Sequence, residues 1–267
     1  MNREYTTQQF ALRLQTFHEK LSDLAVSYDC AMPQSLEMEA TIDDYSRFIT
    51  DDDHKEAWEK LEQHMPNGLS ELVSDIRKTS ALCVAISEKY RALRLLNGED
   101  IKSGYFNNIE SCIEEEFGSF RVTSASKVVL VGSGSFPMTP LLIAKETGAE
   151  VIGIDIDEEA VVLGRKVVDR LGSGLKIRLE KASLEEIDDM KEVTHIIFSS
   201  TVAPKYDLLD QLHSLTNERV VVAMRYGDQL KSLFNYPMRE VDGKKWKLVE
   251  NIRRPKQVFD IALYAKS

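Results

Sequence analysis

The second half of the chain alternates short apolar runs, rich in β-branched residues, with stretches of helical length. Five such runs recur, at 127–131, 150–154, 175–179, 194–198 and 219–224. Four stretches predicted to be helical separate them, at 139–147, 158–171, 184–190 and 206–215. Strands that are apolar on both faces belong in a parallel sheet covered by helices on both sides. Two final runs, at 245–249 and 257–264, are joined by a connection too short for a crossover helix. They predict an antiparallel hairpin, which completes a seven-stranded α/β sheet.

The residues before this sheet carry apolar positions three and four apart, the spacing of amphipathic helices. The periodicity predicts helices at 6–28, 41–48, 52–63, 69–96 and 108–117, with breaks at Pro33 and at the turn 66–68. Residues 1–126 carry 23 acidic and 13 basic side chains, whereas residues 127–267 carry 21 of each, so the net charge of −10 belongs to the helical part. We therefore predict an all-helical domain over 1–120 and an α/β domain over 121–267.

This charge distribution also limits the classes of binding partner that we expect. An acidic helical part repels nucleic-acid phosphates and anionic lipid, so neither nucleic acid nor a membrane surface is expected, and small molecules are the expected partners. The sequence contains no apolar run near the ~20 residues that cross a bilayer and begins without a signal-peptide pattern, which predicts a cytoplasmic protein. The three cysteines and five histidines show no metal-ligand spacing, so no metal site is predicted. A homodimer is compatible with the sequence but not specified by it.

A glycine turn follows the first apolar run. Gly132-Ser133-Gly134 ends that run, and Asp155 ends the next one. Glycines let the backbone approach a nucleotide closely, and an acid at the end of the second strand can accept both hydroxyls of a ribose. Pro137 stands where a dinucleotide fingerprint has its third glycine, which disfavours a pyrophosphate. The pattern indicates a nucleoside ligand without phosphates, and a purely structural turn is the alternative.

Seven strands ending in a hairpin resemble the class I methyltransferase fold, which binds S-adenosylmethionine. In such sheets the ligand lies beyond the carboxyl ends of the strands. The resemblance implies contacts to S-adenosylmethionine from Gly132, Ser133, Gly134, Ser135, Pro137, Asp155, Ile156, Asp157, Ala182, Ser183, Ser199 and Ser200. Ser183 fits equally well as the N-cap of the following segment, because Glu185 and Glu186 come close behind it.

A narrower resemblance is carried by residues 131–139, Val-Gly-Ser-Gly-Ser-Phe-Pro-Met-Thr. They are similar to the glycine-turn signature of nicotianamine synthases, in which Gly-Ser-Gly or Gly-Gly-Gly leads into Pro-Leu-Pro-Leu-Thr, although Ser135 and Phe136 depart from it. Similar segments follow at 155–157, 203–205, 225–227 and 236–237, and the N-terminal helical region is shared. The chain's length is closer to the bacterial enzymes that act in staphylopine-type opine-metallophore biosynthesis than to the plant enzymes.

This resemblance implies an activity. The 3-amino-3-carboxypropyl (aminobutanoyl) group of the co-substrate S-adenosylmethionine would pass to the α-amine of histidine, releasing 5′-methylthioadenosine. D-histidine is the favoured acceptor, with its chirality open, and the product would go to an opine dehydrogenase-type enzyme. Three alternatives stand beside it: a nicotianamine synthase that uses S-adenosylmethionine as acceptor, an ordinary small-molecule methyltransferase, and a non-catalytic binding protein.

The candidate proton acceptor for such a transfer is Glu88. It shares one face of the longest predicted helix with Ala81, Ala85 and Ala92, and apolar neighbours raise a carboxyl pKa toward the range that suits proton transfer. The alternative is a solvated pair with Arg91. The family resemblance implies a catalytic glutamate on this helix and an active-site tyrosine, here Tyr105. The remaining candidates, predicted to hold a substrate carboxylate, are Arg225, Tyr226 and Lys205.

Overall fold

The N-terminal region of the computed structural model is helical. The structure describes residues 6–27, 32–63, 67–99 and 116–267. Its first four helices are α1 (Thr7–Val26), α2 (Met32–Thr50), α3 (Lys55–Gln63) and α4 (Asn67–Leu96). The apolar positions that predicted α1 are all buried, and Thr6 and Gln9 form a capping box at its start.

Two predicted boundaries in this region are wrong. A single helix, α2, runs through Pro33 and includes the predicted helix 41–48, because proline is tolerated in a first helical turn where its missing N–H has no intrahelical partner. The predicted turn at 66–68 instead contributes Asn67 and Gly68 to the start of α4. The predicted helix 108–117 lies almost wholly outside the described residues, as does Tyr105.

Seven strands form one sheet in the order β3-β2-β1-β4-β5-β7-β6. They are β1 (Lys127–Val131), β2 (Glu150–Asp155), β3 (Ile177–Lys181), β4 (His195–Phe198), β5 (Val221–Tyr226), β6 (Trp246–Ile252) and β7 (Asp260–Lys266). Strands β1 to β5 are parallel, and β7 pairs antiparallel with both β5 and β6. The predicted α/β class is therefore confirmed, with the class I methyltransferase strand arrangement.

Three helices connect the parallel strands: α5 (Met138–Thr147), α6 (Glu158–Leu171) and α7 (Lys205–Leu215). The fourth predicted helix, at 184–190, is wrong, because this segment forms two short 3₁₀ turns at Leu184–Glu186 and Met190–Glu192. Asp189 between them has a left-handed backbone, with φ of 60°, which ends any helix there.

The helical region and the sheet share a hydrophobic core. One buried cluster joins α1, α2 and α4 to one face of the sheet and includes Phe10, Tyr45, Ile76, Ala223 and Phe234. The Tyr45 hydroxyl donates to the Leu233 carbonyl oxygen at 2.8 Å. A second cluster lies under α7 on the opposite face. This packing holds α4 beside the carboxyl ends of the parallel strands, where the candidate site lies.

Candidate active site

A pocket of about 560 Å³ lies between α4 and the carboxyl ends of strands β1 to β5. That volume is typical of a small-molecule site. Eleven of the predicted site residues line it, namely Glu88, Gly132, Ser133, Gly134, Asp155, Ile156, Ala182, Ser183, Ser199, Ser200 and Arg225. The predicted residues that are described but do not line it are Ser135, Pro137, Asp157, Lys205 and Tyr226. The tertiary structure thus gathers residues from α4 and five strand ends into one site.

The glycine turn packs closely against its neighbours. Gly132 and Gly134 have φ of 81° and 67°, a region that glycine adopts without strain. A Cβ atom at Gly134 would overlap the Glu88 carboxylate. A Cβ atom at Gly164 of α6 would lie 3.1 Å from the Gly134 carbonyl oxygen. Gly164 therefore allows the helix to approach the turn closely. In a dinucleotide fingerprint the third glycine has this function, and Pro137 occupies its position here.

Glu88 places its carboxyl group over this turn. The carboxylate accepts hydrogen bonds from the backbone N–H groups of Ser135 and Phe136. The Glu88 pKa is raised to about 8, chiefly by loss of solvation and also by the negative charge of Asp155, while Arg91 and the two N–H groups lower it. Arg91 is itself buried, with its guanidinium 4.4 Å from the centroid of the Phe136 ring, so a solvated Glu88–Arg91 pair is not formed. Glu88 is therefore a pocket carboxyl that can gain or lose a proton near neutral pH.

Asp155 is half-buried at the end of β2 and shapes the same turn. Its Oδ2 accepts from the Gly134 N–H at 2.9 Å, and its Oδ1 accepts from the Asp157 N–H at 3.0 Å. Asp157 points away from the pocket: its carboxylate caps α6 and pairs with Lys89 at 2.8 Å. The Asp157 carboxylate, predicted to contact the ligand, satisfies the first N–H groups of the helix in this structure.

The residues expected to hold a substrate carboxylate have other partners. Arg225 and Tyr226 are adjacent on β5 and so face opposite sides of the sheet. Tyr226 is buried in the cluster under α7, and its hydroxyl donates to Asn251 Oδ1 at 2.8 Å. Lys205 is fully buried beneath the pocket and donates to the carbonyl oxygens of Ser200 and Arg225, at 3.0 and 2.6 Å. Burial, followed by the charges of Arg77 and Arg239, lowers the pKa of Lys205 to about 7.

Arg225 does line the pocket, but in a buried ion pair. Its Nε and Nη2 donate to the two carboxylate oxygens of Glu116 at 2.9 and 2.6 Å, and Nη2 also donates to Thr139 Oγ1 at 3.1 Å. Glu116 is fully buried, and the Arg225 guanidinium stands 4.9 Å from the Phe259 ring centroid. Sequence reasoning missed Glu116 because it is the last of three consecutive acids and no periodicity distinguishes it.

The pocket suits a nucleoside ligand in its polar groups. Ser133 is 5% exposed and lines the pocket, and its hydroxyl has no partner among the described residues. A buried hydroxyl of this kind requires a hydrogen-bonding ligand or water. Ile156 and Ala182 provide an apolar edge beside Asp155. Ser183, which also lines the pocket, forms the capping box with Glu186 that its sequence neighbours suggested.

Within residues 6–27, 32–63, 67–99 and 116–267, no three His, Cys, Asp or Glu side chains are arranged to hold a metal ion. None of the helices described has the length and apolar character needed to cross a membrane.

The sheet order, the glycine turn and the acid at the end of β2 define a class I S-adenosylmethionine-dependent transferase with a helical region over its site. No protein-family model matches the chain. A Yersinia pestis protein named L-histidine 2-aminobutanoyltransferase is 31% identical over 194 residues, which cover 70% of this chain and 71% of that protein. A Pseudomonas aeruginosa protein of the same name is 29% identical over 190 residues, 70% of each chain. The chain belongs to the L-histidine 2-aminobutanoyltransferase family.

Solved structures show the same fold over nearly the whole chain. A mutant of the nicotianamine synthase MtNAS has a TM-score of 0.78 at 16% identity, covering 96% of this chain and 98% of MtNAS. MtNAS in complex with MTA and tNA has a TM-score of 0.75 at 18% identity, covering 96% and 97%. The likeness includes the helical region, and the resemblance to the nicotianamine synthase family is confirmed.

Proposed function

We propose that this chain transfers the 3-amino-3-carboxypropyl group of S-adenosylmethionine to the α-amine of histidine and releases 5′-methylthioadenosine. The observation that carries the proposal is Glu88, a carboxyl whose pKa is raised to about 8 and which lines the pocket directly over the glycine turn. The names of the two relatives support it and specify L-histidine. We therefore take L-histidine as the acceptor, in place of the D-enantiomer that the sequence resemblance favoured.

The reaction requires an unprotonated amine. The α-amine of histidine is largely an ammonium at neutral pH, so Glu88 in its carboxylate form takes one proton from it. The freed electron pair of the nitrogen attacks the γ-carbon of the methionyl group, and the bond from that carbon to sulfur breaks with its electrons left on sulfur. Attack at the γ-carbon instead of the methyl group is a matter of alignment at about 3 to 3.5 Å. The N–H groups of Ser135 and Phe136 hold the Glu88 carboxylate in place, and this determines where the amine must lie to give up its proton.

The remaining site assignments belong to the same proposal. Asp155 and Ser133 bind the ribose and the methionyl portion, while Ile156, Ala182 and Ser183 border the adenine and Ser199 and Ser200 form the floor. Residues 121–267 bind S-adenosylmethionine, and residues 1–120 cover the site and supply Glu88. Tyr105 stays a prediction of the family resemblance.

The product suggests the next reaction. Its aminobutanoyl portion retains a primary amine, which can condense with a 2-oxo acid and be reduced by an opine dehydrogenase-type enzyme to a staphylopine-like metallophore. We place the reaction in the cytoplasm, where S-adenosylmethionine is made. Light scattering on the purified protein decides between a monomer and the homodimer that the sequence allows.

The proposal is tested by incubating the purified protein with S-adenosylmethionine and a panel of amino acids, including both enantiomers of histidine. We expect mass spectrometry to detect methylthioadenosine and aminobutanoyl-histidine only when L-histidine is present. S-adenosylhomocysteine as the product would identify a methyltransferase, and methylthioadenosine formed without an added acceptor would identify a nicotianamine synthase. If calorimetry detects no binding of S-adenosylmethionine, the chain is not an enzyme of this class.

Replacing the proposed base gives the second arm of the test. Glu88→Gln removes the group that takes the proton, so we expect turnover to fall by roughly 10²-fold or more while S-adenosylmethionine still binds. Glu71→Gln, an exposed acid on the same helix, is the matched control and should leave turnover unchanged. Normal turnover in Glu88→Gln would contradict the assigned role.

A further inference from the structure

Part of the pocket wall is formed by buried residues that include two aromatic rings. We define the inner chamber by Leu130, Phe136, Thr139, Arg225 and Phe259, which line the pocket and are each no more than 5% exposed. Two of the five residues are aromatic, and two others contribute polar groups, namely the Thr139 hydroxyl and the Arg225 guanidinium. A chamber of this composition suits a flat, largely apolar group that carries one hydrogen-bonding atom.

The charge of the chamber excludes an anion as its best ligand. The Glu116 carboxylate accepts two hydrogen bonds from the Arg225 guanidinium in a bidentate ion pair, so the buried pair is neutral overall. A substrate carboxylate entering here would face the negative charge of Glu116 at close range. A neutral acceptor atom would meet no such penalty.

Thr139 provides the donor for such an atom. Its Oγ1 accepts from Arg225 Nη2 at 3.1 Å, and no residue in the described part of the chain accepts the hydrogen of its hydroxyl. A threonine hydroxyl can donate one hydrogen bond and accept others. Because Thr139 accepts from Arg225, its own hydroxyl hydrogen is available for a ligand. Glu116 holds Arg225, and Arg225 orients Thr139 at the chamber wall.

The chamber and the proposed base are connected through one short segment of the chain. The Phe136 N–H donates to Glu88, and Thr139 follows three residues later in the first turn of α5. The group that holds Glu88 and the hydroxyl of the chamber therefore both belong to the segment that follows the glycine turn.

We propose that Thr139, oriented by Arg225 and Glu116, donates a hydrogen bond to an imidazole nitrogen of the acceptor and so selects histidine by its neutral side chain. The inference rests on the proposed function. The ring lies between Phe136 and Phe259, and its α-amine is directed toward Glu88. Arg225 is a positioning residue in this arrangement and not the carboxylate clamp expected from the sequence.

The test compares two acceptors on matched variants. Thienylalanine has a five-membered ring of similar shape without a nitrogen. We expect the wild-type protein to prefer histidine by about 10³-fold or more in kcat/KM, because a site built to donate a hydrogen bond discriminates strongly against an analogue that lacks the acceptor. Thr139→Val should lower kcat/KM for histidine by about 10- to 100-fold and leave that for thienylalanine within about threefold.

Three controls separate this role from a structural one. Thr139→Ser keeps the hydroxyl and should retain histidine activity within about threefold. Thr216→Val removes a hydroxyl that is equally buried but bonds to the Leu212 carbonyl oxygen outside the pocket, and its kinetics should be unchanged. The dissociation constant of S-adenosylmethionine for Thr139→Val should stay within about threefold of the wild-type value.

The contradicting outcomes are distinct from failure of the proposed function. An equal loss for both acceptors in Thr139→Val, or weaker binding of S-adenosylmethionine, would place another group in the chamber and overturn the inference. If Thr139→Val does not fold, a wild-type preference for histidine below tenfold overturns it instead. Absence of methylthioadenosine from wild-type protein with histidine would contradict the proposed function itself.

Discussion

Glu88 and Gly134 are in direct contact, and each depends on the other's position. The glycine turn is normally explained by the ligand, yet here a side chain at position 134 would first meet the Glu88 carboxylate. The N–H groups after the turn, which would otherwise point to solvent or ligand, donate to the same carboxylate. The second glycine is therefore required by an acid from α4, which places the proposed proton acceptor directly against the glycine turn.

The raised pKa of Glu88 has a consequence for stability. In the folded chain Glu88 keeps its proton up to about pH 8, whereas an unfolded glutamate loses it near pH 4.5. Folding therefore takes up a proton between these values, and the free energy of unfolding falls as pH rises through that window. Glutamine does not titrate. We expect Glu88→Gln to gain about 1 to 3 kcal/mol relative to wild type between pH 5 and pH 8.5, measured by urea unfolding. The same difference at both pH values would show that Glu88 is solvated.

Helix α4 is the secondary-structure element that brings Glu88 to the pocket. One stripe of the helix, with Ala81, Val84, Ala85 and Glu88, faces the pocket, while the next residue, Lys89, reaches across to the start of α6. Its ammonium lies 2.8 Å from Asp157 and 2.6 Å from Glu159, and the Lys89 side chain is 13% exposed. The pair of bonds fixes the rotation of α4 at the position where Glu88 meets the turn.

This contact predicts a kinetic effect larger than its effect on stability. We expect Lys89→Met to lower kcat by about 5- to 20-fold, since a small displacement of a proton acceptor is costly, and to change the free energy of unfolding by only about 1 kcal/mol. Binding of S-adenosylmethionine, measured by calorimetry, should change less than kcat. Lys78→Met, on the same helix and paired with Asp75 at the surface, is the control and should keep kcat within twofold. Equal effects of the two substitutions on kcat would exclude a positioning role for Lys89.

A single core connects the two halves at the scale of the whole molecule. Phe234, which follows β5, packs against Tyr45 of α2 with ring centroids 5.5 Å apart and ring planes tilted by 32°, and both belong to a cluster that reaches from α1 to β7. The acidic helical region is thus attached to the sheet by apolar packing and by the Tyr45 hydrogen bond. Although the chain divides by composition near residue 120, its two parts bury their surfaces together, which predicts cooperative unfolding.

The two tryptophans allow this to be measured. Trp58 lies in α3 and Trp246 in β6, so Trp58→Phe and Trp246→Phe each leave one fluorescent reporter of one part. We expect the two reporters to give the same urea midpoint. Adding Phe234→Ala should lower both midpoints together, with a loss of about 3 to 4 kcal/mol from the cavity. A shift at Trp58 alone would mean that the helical part unfolds independently.

Much of this arrangement was predictable, and the failures have physical causes. Local periodicity was sufficient for α1 and α6, which each bury an apolar face, and it also located the seven strands, although only Trp246 of β6 is buried. It failed at residues 184–190, where a left-handed aspartate ends a pattern that looked helical, and at α2, where Pro33 occupies the tolerant first turn. The side chains of Asp157 and Tyr226, both predicted at the site, have other partners, because those partners are set by helix capping and strand alternation.

The amino-acid sequence was sufficient for the α/β class, and it predicted a nucleoside site at the glycine turn and Asp155 with Glu88 as the candidate proton acceptor. These follow from spacing along the chain, which periodicity reports directly. Only the tertiary structure decided that Glu88 meets Gly134 and that Glu116 and Arg225 form a neutral pair which presents Thr139 to the inner chamber. Glu116 and Arg225 are 109 residues apart in the chain, so no local pattern records their contact. Their pairing results from burial, since two charges that leave water together must satisfy one another.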